Sequence, residues 1–132
     1  MKFYYKSYGA VIRPVIPIRI RSNEKNFQYE VLVDSGADLC IFGAEVGEQI
    51  GIDVYSGKKR EVFGIGGKAS IYYLHKVTIE VGGWSFEIEA GFMPEVAGRV
   101  LPYGVVGQKG FFDIFVVKFD YSKEEIELKS VK

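Results

Sequence analysis

The amino-acid sequence predicts an all-β protein. Val and Ile together supply 29 of the 132 residues, whereas Leu and Ala together supply only 11. A further 20 residues are aromatic, and β-branched and aromatic side chains favour strands over helices. The 16 glycines make up about 12% of the chain, against a usual ~7%, and predict many tight turns between the strands.

The first half of the chain contains two predicted strands. Residues 11–20 are rich in Val and Ile, but Pro14 and Pro17 cannot donate a backbone hydrogen bond to a neighbouring strand. This strand is therefore expected at a sheet edge or with an interruption. Residues 27–33 alternate between two faces, as a half-buried strand does, with Phe27 at the start of the apolar face.

The second half contains two predicted β-hairpins. Residues 70–81 lead into Gly82 and Gly83, and residues 84–90 alternate again after this pair. A two-glycine turn between two such segments is a strong hairpin signal. Residues 117–129 read as two short strands around a turn, which predicts a second hairpin near the C-terminus.

Two segments depart from the strand pattern and predict short helices. In residues 44–50, Val46 and Ile50 lie four apart, and the following Gly51 is a typical residue for ending a helix. Residues 108–115 contain three Phe at spacings that fit one helical face. The sequence therefore predicts one or two short helices among the strands.

Composition and charge limit the domain organisation and the partners. The length fits a single domain over residues 1–132, and 17 Lys and Arg balance 17 Asp and Glu. A neutral chain lacks the basic surface that nucleic acid requires, so no nucleic acid is expected as a partner. One Cys and one His cannot form a structural zinc site, and neither a metal nor another cofactor is expected. Apolar runs are far shorter than the roughly 18 residues that span a membrane, and the first residues lack a secretory pattern, so a cytoplasmic location without membrane contact is expected.

The most informative segment places a carboxylate at the end of a predicted strand. Asp34, Ser35, Gly36 and Ala37 separate two apolar segments. Taken alone, Asp-Ser-Gly is more often a simple turn, in which Asp and Gly serve the backbone geometry. The alternative is a reactive carboxylate that emerges from apolar surroundings, which is a setting typical of catalytic acids.

Three elements in this order resemble the retropepsin family of aspartic proteases. Residues 32–37 resemble the family signature of two apolar residues followed by Asp, Thr or Ser, Gly and Ala. Residues 63–67, Phe-Gly-Ile-Gly-Gly, are similar to the glycine-rich flap hairpin of the family. Residues 105–107, Val-Val-Gly, match the element before the family's C-terminal helix. The resemblance covers roughly residues 27–115 and implies a closed β-barrel with aspartic endopeptidase activity.

The resemblance also implies roles for individual residues. Asp34 is the catalytic acid, Ser35 bonds across the base of the catalytic pair, and Gly36 approaches the substrate backbone. The expected contacts with the peptide substrate are Ala37, Asp38, Gly64, Ile65, Gly66, Gly67 and Val106.

The side chains of Ile65 and Val106 are expected to line the subsites, which implies a preference for apolar residues near the scissile bond. The sequence departs from the retroviral members at Gln108, where they usually carry an Arg that supports the acid corresponding to Asp38.

The implied mechanism needs two carboxylates that share one proton around a water molecule. The chain contains one Asp-Ser-Gly and is too short for a two-lobed enzyme. The resemblance therefore implies a homodimer in which Asp34 of each copy supplies one carboxylate. Such a pair gives a bell-shaped pH dependence of activity. The flap would close over an extended peptide or protein segment and exclude water from it.

Other interpretations stay open at this point. A retropepsin-like domain can serve in peptide binding or dimerisation without catalysis, because a fold does not fix a function. An unrelated small β-barrel that binds a ligand is a third possibility. Cys40 lies in an apolar run and is expected to be a buried thiol rather than a nucleophile. Residues 64–70 faintly resemble a phosphate-binding loop, but Ala69 follows the Lys where Ser or Thr is required.

Overall fold

The strands account for most of the computed structural model, which describes residues 1–23, 25–63, 69–94 and 103–131. The all-β class predicted from the sequence is confirmed. The strands are β1 (Lys2–Tyr4), β2 (Lys6–Tyr8), β3 (Val11–Arg13), β4 (Val15–Ser22), β5 (Lys25–Val33), β6 (Ile41–Gly43), β7 (Lys58–Phe63), β8 (Ala69–Val81), β9 (Trp84–Met93), β10 (Gly104–Val106), β11 (Phe115–Asp120) and β12 (Glu125–Ser130). One α-helix, α1 (Ala44–Gln49), and a 3₁₀ turn, Val54–Ser56, lie between β6 and β7.

Seven strands form the main sheet, in the order β4-β5-β10-β6-β9-β8-β7. Strand β4 also pairs with β8 around Ile20 and Ile79, so the hydrogen-bonded path through six of these strands returns to its start. Strand β7 stays outside this circuit and pairs with β8. A smaller sheet, β1-β12-β11, brings the two ends of the described chain together, and β2 pairs with β3.

The core lies on the inward faces of the circuit, where alternate residues of each strand are buried. The largest fully buried side chains include Phe42, Phe92 and Phe111. The turn between β8 and β9 consists of Gly82 and Gly83, both with positive φ (+55° and +89°), as a two-residue hairpin turn requires. Both predicted hairpins are confirmed.

The prediction for residues 11–20 is confirmed in its second form, an interrupted strand. Pro14 separates β3 from β4. Pro17 lies within β4 opposite Glu30 of β5, whereas the pairing of β4 with β8 involves only residues 19–21. Pro17 therefore sits where β4 has a single partner, which is where a strand tolerates proline.

The first predicted helix is confirmed as α1, and Gly51 with φ +82° follows its end. The second is wrong, because residues 108–114 form turns. Gly110 has φ +99°, outside the helical region, and its N–H donates to Asp113 Oδ1 at 3.0 Å. Phe111 and Phe115 are buried with their ring centroids 5.2 Å apart, so their spacing reflects burial of a turn residue against the first residue of β11. None of the helices in the described ranges is long and apolar enough to cross a membrane.

Candidate active site

Asp34 lies directly after β5, where its main chain continues the pairing with β10. Its N–H donates to Val106 O at 3.0 Å, next to the registered pair of Val33 and Val106. Its carboxylate Oδ1 accepts a hydrogen bond from the N–H of Gly36 at 2.9 Å, and its carbonyl accepts one from Ala37 N at 3.2 Å. The sequence left a simple turn and a reactive carboxylate as alternatives. The structure shows the turn, and the turn fixes the carboxylate at the strand end.

A second segment crosses beneath this turn. Gln108 N donates to Ala37 O at 2.8 Å, and Lys109 N donates to Asp38 O at 2.9 Å. Gly107 allows the close approach, because a Cβ there would lie 2.5 Å from Ala37 O and 2.6 Å from Leu39 O. Residues 34–39 together with residues 106–109 are termed the Asp34 crossing.

Gln108 makes a contact at the site that the sequence did not indicate. Its side-chain Nε2 donates to Ser35 O at 2.6 Å and ties the turn to the segment beneath it. The sequence marked Gln108 only as a substitute for a family Arg. Asp38 is exposed, and its main-chain carbonyl is engaged by Lys109, while its contact with a substrate stays a prediction.

The structure brings together Asp34, Ser35, Gly36, Ala37 and Asp38, with Ser35 and Gly36 exposed to solvent. The outcome differs for the predicted residues farther along the chain. The Val106 side chain has no exposed surface, so in this conformation it packs in the core and not along a substrate. The predicted flap residues Gly64, Ile65, Gly66 and Gly67 lie outside the described residues.

An apolar row lies on the outer face of the sheet, beside Asp34. Leu32 is two residues before Asp34 and therefore on its side of the strand. In register with Leu32 lie Val105 of β10 and then Ile41 of β6, and all three side chains are half-buried. These three residues are termed the outer row.

The outer row continues across β9 through a glycine. Gly91 pairs with Ile41, and a Cβ at Gly91 would lie 2.6 Å from the Tyr72 ring and 2.7 Å from Ile41 Cδ1. The missing side chain at Gly91 therefore lets the Tyr72 ring approach Ile41. The apolar row thus continues from the strand before Asp34 to β8, where Gly91 and the Tyr72 ring are buried.

Cys40 does not belong to the reactive groups of the site. It is buried, and its thiol points to Lys109 O at a sulfur–oxygen distance of 3.6 Å. Burial raises the pKa of the thiol to about 11, so the reactive thiolate is scarce at neutral pH. The prediction of a buried thiol is confirmed. In the part of the chain that the structure describes, no group of His, Cys, Asp and Glu is arranged to hold a metal ion.

Known proteins with related sequences and folds identify the family. The sequence profile of the family described as aspartyl protease matches residues 16–109, more than half of the chain. No curated protein sequence matches the chain.

Solved structures of similar fold include the EIAV protease in complex with an inhibitor, 19% identical over 78% of this chain and 88% of that chain, with a TM-score of 0.51. The retroviral protease-like domain of Ddi1 from Leishmania major is 14% identical, with 90% of each chain covered and a TM-score of 0.62. A retropepsin-like aspartic protease from Rickettsia conorii is 16% identical over 86% of this chain and 80% of that chain, with a TM-score of 0.56. At these identities, the likeness to solved structures establishes the fold and not the activity.

The matched range begins in β4 and ends at Lys109, so it contains both segments of the Asp34 crossing. The part of the chain that fixes the carboxylate is thus the part that the family shares. With its retropepsin-like fold, the chain belongs to the aspartyl protease family.

Proposed function

We propose that this protein is an aspartic endopeptidase that acts as a homodimer, with Asp34 of the two copies forming the catalytic pair. The observation that carries the proposal is the position of the Asp34 carboxylate. It stands on the Asp34 crossing at the end of β5, directly after the buried Val33, where main-chain hydrogen bonds from two segments hold its turn. A fixed carboxylate beside an exposed glycine is what the attack of water on an extended peptide requires.

The homodimer follows from the number of carboxylates that the mechanism uses. The chain has one Asp-Ser-Gly, and the reaction needs two carboxylates that share a proton. An identical second copy supplies the second carboxylate by symmetry. Activity is then greatest at the pH values where the pair holds one proton, and it falls on both sides.

The chemistry divides between the two carboxyl groups. The ionised one takes a proton from the bound water, whose oxygen attacks the carbonyl carbon of the scissile bond, while the protonated one donates to the carbonyl oxygen. When the tetrahedral intermediate collapses, the carbon–nitrogen bond breaks and a proton passes from a carboxyl group to the leaving nitrogen. No metal or other cofactor takes part in these steps.

The proposed substrate is an extended peptide or protein segment with apolar side chains near the scissile bond. The outer row supports this preference, because three half-buried apolar side chains lie beside Asp34. Val105 takes the wall position that the sequence had suggested for Val106. We further propose that Ala37 and Asp38 contact the peptide main chain, and that the protein acts in the cytoplasm. The proposed flap residues that cover the substrate are Gly64, Ile65, Gly66 and Gly67.

Cleavage of a mixed peptide library from about pH 3.5 to about pH 7.5 tests the proposal. We expect Asp34→Asn to lower cleavage on the order of 10³-fold or more, because the amide neither accepts the water proton nor shares one. Asp53→Asn is the matched control, since Asp53 is exposed on the connection after α1 and contributes only its carbonyl to the hydrogen bonds of the 3₁₀ turn. Equal activity of the native chain and Asp34→Asn would reject the proposed role of Asp34.

The dimer is tested by dilution and by mixing. Cleavage per milligram should fall on dilution as copies separate, and an excess of Asp34→Asn should suppress native activity by forming mixed dimers. Activity that is independent of both would point to a single-chain site. A folded, dimeric native chain that cleaves nothing at any pH would favour the alternative, a retropepsin-like domain used for peptide binding or dimerisation without catalysis.

A further inference from the structure

We propose that Lys58 and Arg60 of β7 select peptides that carry an acidic side chain several residues away from the apolar segment at Asp34. The inference rests on the proposed function of the site, since it assumes that an extended peptide lies along the outer row. It adds a charge preference to the apolar preference derived above.

The strand register places Lys58 at the end of the outer row. Ile41 pairs with Gly91 of β9, Gly91 pairs with Leu74 of β8, and Leu74 pairs with Lys58. Residues opposite each other on neighbouring strands share a face of the sheet. Lys58 therefore shares the outer face with Ile41, and the alternation along β7 places Arg60 there as well.

Arg60 lies close to the outer row because the Tyr72 ring connects the two. It pairs with Tyr72, and the Tyr72 ring reaches across β9 to Ile41, as the contacts around Gly91 establish. The cation is thus one side chain away from the outer row. A peptide that places an apolar side chain against Ile41 can bring a side chain several residues away to Arg60, because three strand spacings of about 4.8 Å separate β6 from β7.

The charges of Lys58 and Arg60 are not neutralised within the described residues. Both side chains are exposed, and neither forms an ion pair in the part of the chain that the structure covers. Within the described residues, Arg60 donates a hydrogen bond from its Nη1 to the neighbouring Lys59 O at 3.2 Å. By contrast, Lys6 is paired with Glu30 and Arg21 with Glu80.

The acidic residues nearby do not offset this pair of cations. Glu61 follows Arg60 and therefore projects from the opposite face of β7. Glu87 and Glu89 of β9 share the outer face, but they lie opposite Thr78 and Lys76. Lys76 is four residues along β8 from Tyr72, which is roughly 13 Å in an extended strand. Among the described residues, the end of the outer face near β7 thus carries two cations without an acidic partner.

The span of the sheet sets the position of the acidic side chain. From β10, which carries Val105, four strand spacings of about 4.8 Å lead to β7, or roughly 19 Å along the surface. An extended peptide covers this length in about six residues. The acidic side chain is therefore expected up to about six residues from the one that contacts Val105.

Peptide binding to the Asp34→Asn chain tests the inference without requiring cleavage. The probes are fluorescent peptides with one apolar centre and either Glu, Gln or Lys at the third to sixth residues on each side. In low salt we expect Glu peptides to bind about threefold to tenfold more tightly than Gln peptides, with Lys peptides weakest. The preference should shrink as salt screens the charges.

Two charge reversals that differ in face provide the matched comparison. Arg60→Glu should abolish or invert the preference for Glu peptides. Lys59→Glu makes nearly the same change in net charge one residue away, but Lys59 projects from the opposite face with Tyr73. It should leave the preference within about twofold of the Asp34→Asn chain.

Equal binding of Glu and Gln peptides would overturn the inference, and so would a failure of both to bind. An equal effect of Arg60→Glu and Lys59→Glu on the preference for Glu peptides would overturn it as well. Cleavage by the native chain is measured in parallel and bears on the proposed function alone. A charge preference without cleavage would retain the inference and reject the protease activity, whereas cleavage without a preference would do the reverse.

Discussion

The Asp34 crossing and the ribbon formed by β7 and the first half of β8 differ in how they are held. In the crossing, Asp34, Ala37 and Asp38 each have a main-chain bond to residues 106–109. Gly107 is buried against the carbonyl oxygens of Ala37 and Leu39. In the ribbon, β7 pairs with β8 alone among the described strands, and residues 58–61 are all exposed.

This difference separates two tasks of a site that acts on peptides. A reacting carboxylate must stay within a fraction of an ångström of its place, which favours main-chain contacts on both sides. Recognition of distant substrate residues depends on exposed side chains, which can change without disturbing the core. The crossing should therefore be sensitive to the smallest substitutions, and the ribbon should be sensitive mainly to charge.

The largest effect on stability is expected from the addition of a single methyl group to the Asp34 crossing. Gly107→Ala places a Cβ about 2.5 Å from two carbonyl oxygens, and both belong to backbone that cannot turn away. We expect a loss of about 3 kcal/mol in the free energy of unfolding. Urea unfolding followed by circular dichroism measures it.

Gly9→Asn is the control for Gly107→Ala, because no atom lies within 4 Å of a Cβ at Gly9, whose φ of +60° is one that Asn tolerates. Its stability should stay within about 0.5 kcal/mol of the native chain. Similar unfolding midpoints for the two variants would mean that the crossing is no tighter than a surface turn.

The same contrast explains which features the sequence predicted. The hairpin at Gly82 and Gly83, α1, and the turn at Asp34 depend on neighbouring residues, and local patterns indicated each of them. The helix expected over residues 108–115 failed because Gly110 adopts a positive φ that a helix does not allow. A Cβ at Gly110 would lie nearest to Cys40 and Ile88, which are distant in sequence.

The sequence indicated the central segment of the candidate site around Asp34. It did not indicate the positions of Val105 and Gln108 at the edges of the site. Val105 and Val106 are chemically identical, and only the register of β10 with β5 decides that Val106 faces the core. The amide of Gln108 bonds to Ser35, which lies 73 residues earlier. A single sequence carries no signal for a contact over that separation.

Alkaline pH should weaken the crossing through Cys40. Burial raises the pKa of this thiol from 9.0 to about 11, so the folded state holds the proton more tightly than the unfolded state does. The contribution to stability is complete below about pH 9 and is lost as the pH rises towards 11. Between about pH 8 and about pH 10, the free energy of unfolding should fall by about 1.3 kcal/mol from this group.

Cys40→Ala provides the comparison for this pH dependence. It lowers the stability at every pH by leaving a cavity, but it should remove the slope attributed to the thiol. The range stops near pH 10 because burial raises the pKa of Tyr29 to about 12, from 10.0, which adds its own loss at higher pH. An unchanged slope in Cys40→Ala would show that the thiol keeps its proton no better in the folded protein.

A smaller effect is expected from the side-chain bond that ties the turn to the segment beneath it. Gln108→Met keeps the length of the side chain but removes the donor to Ser35 O. The unfolding free energy should fall by about 1 kcal/mol, and kcat should fall more than KM changes, since the turn that carries Asp34 is loosened. Gln108→Arg, which retains donor groups, should lose less on both measures, and equal losses would exclude a role for the hydrogen bond.

The smallest effect on stability is expected in the ribbon. Arg60→Ala removes an exposed side chain that donates a hydrogen bond to the neighbouring Lys59 carbonyl. Its unfolding free energy should stay within about 0.5 kcal/mol of the native value, because exposed side chains without buried contacts contribute little. Arg60→Ala should nevertheless change the peptide affinity, by an amount that depends on the charge of the peptide. Unfolding and peptide binding measured on the same sample can establish both results. If a substitution in the ribbon lowered stability as much as Gly107→Ala does in the crossing, the two regions would be held alike. Recognition could then not vary independently of the turn at Asp34.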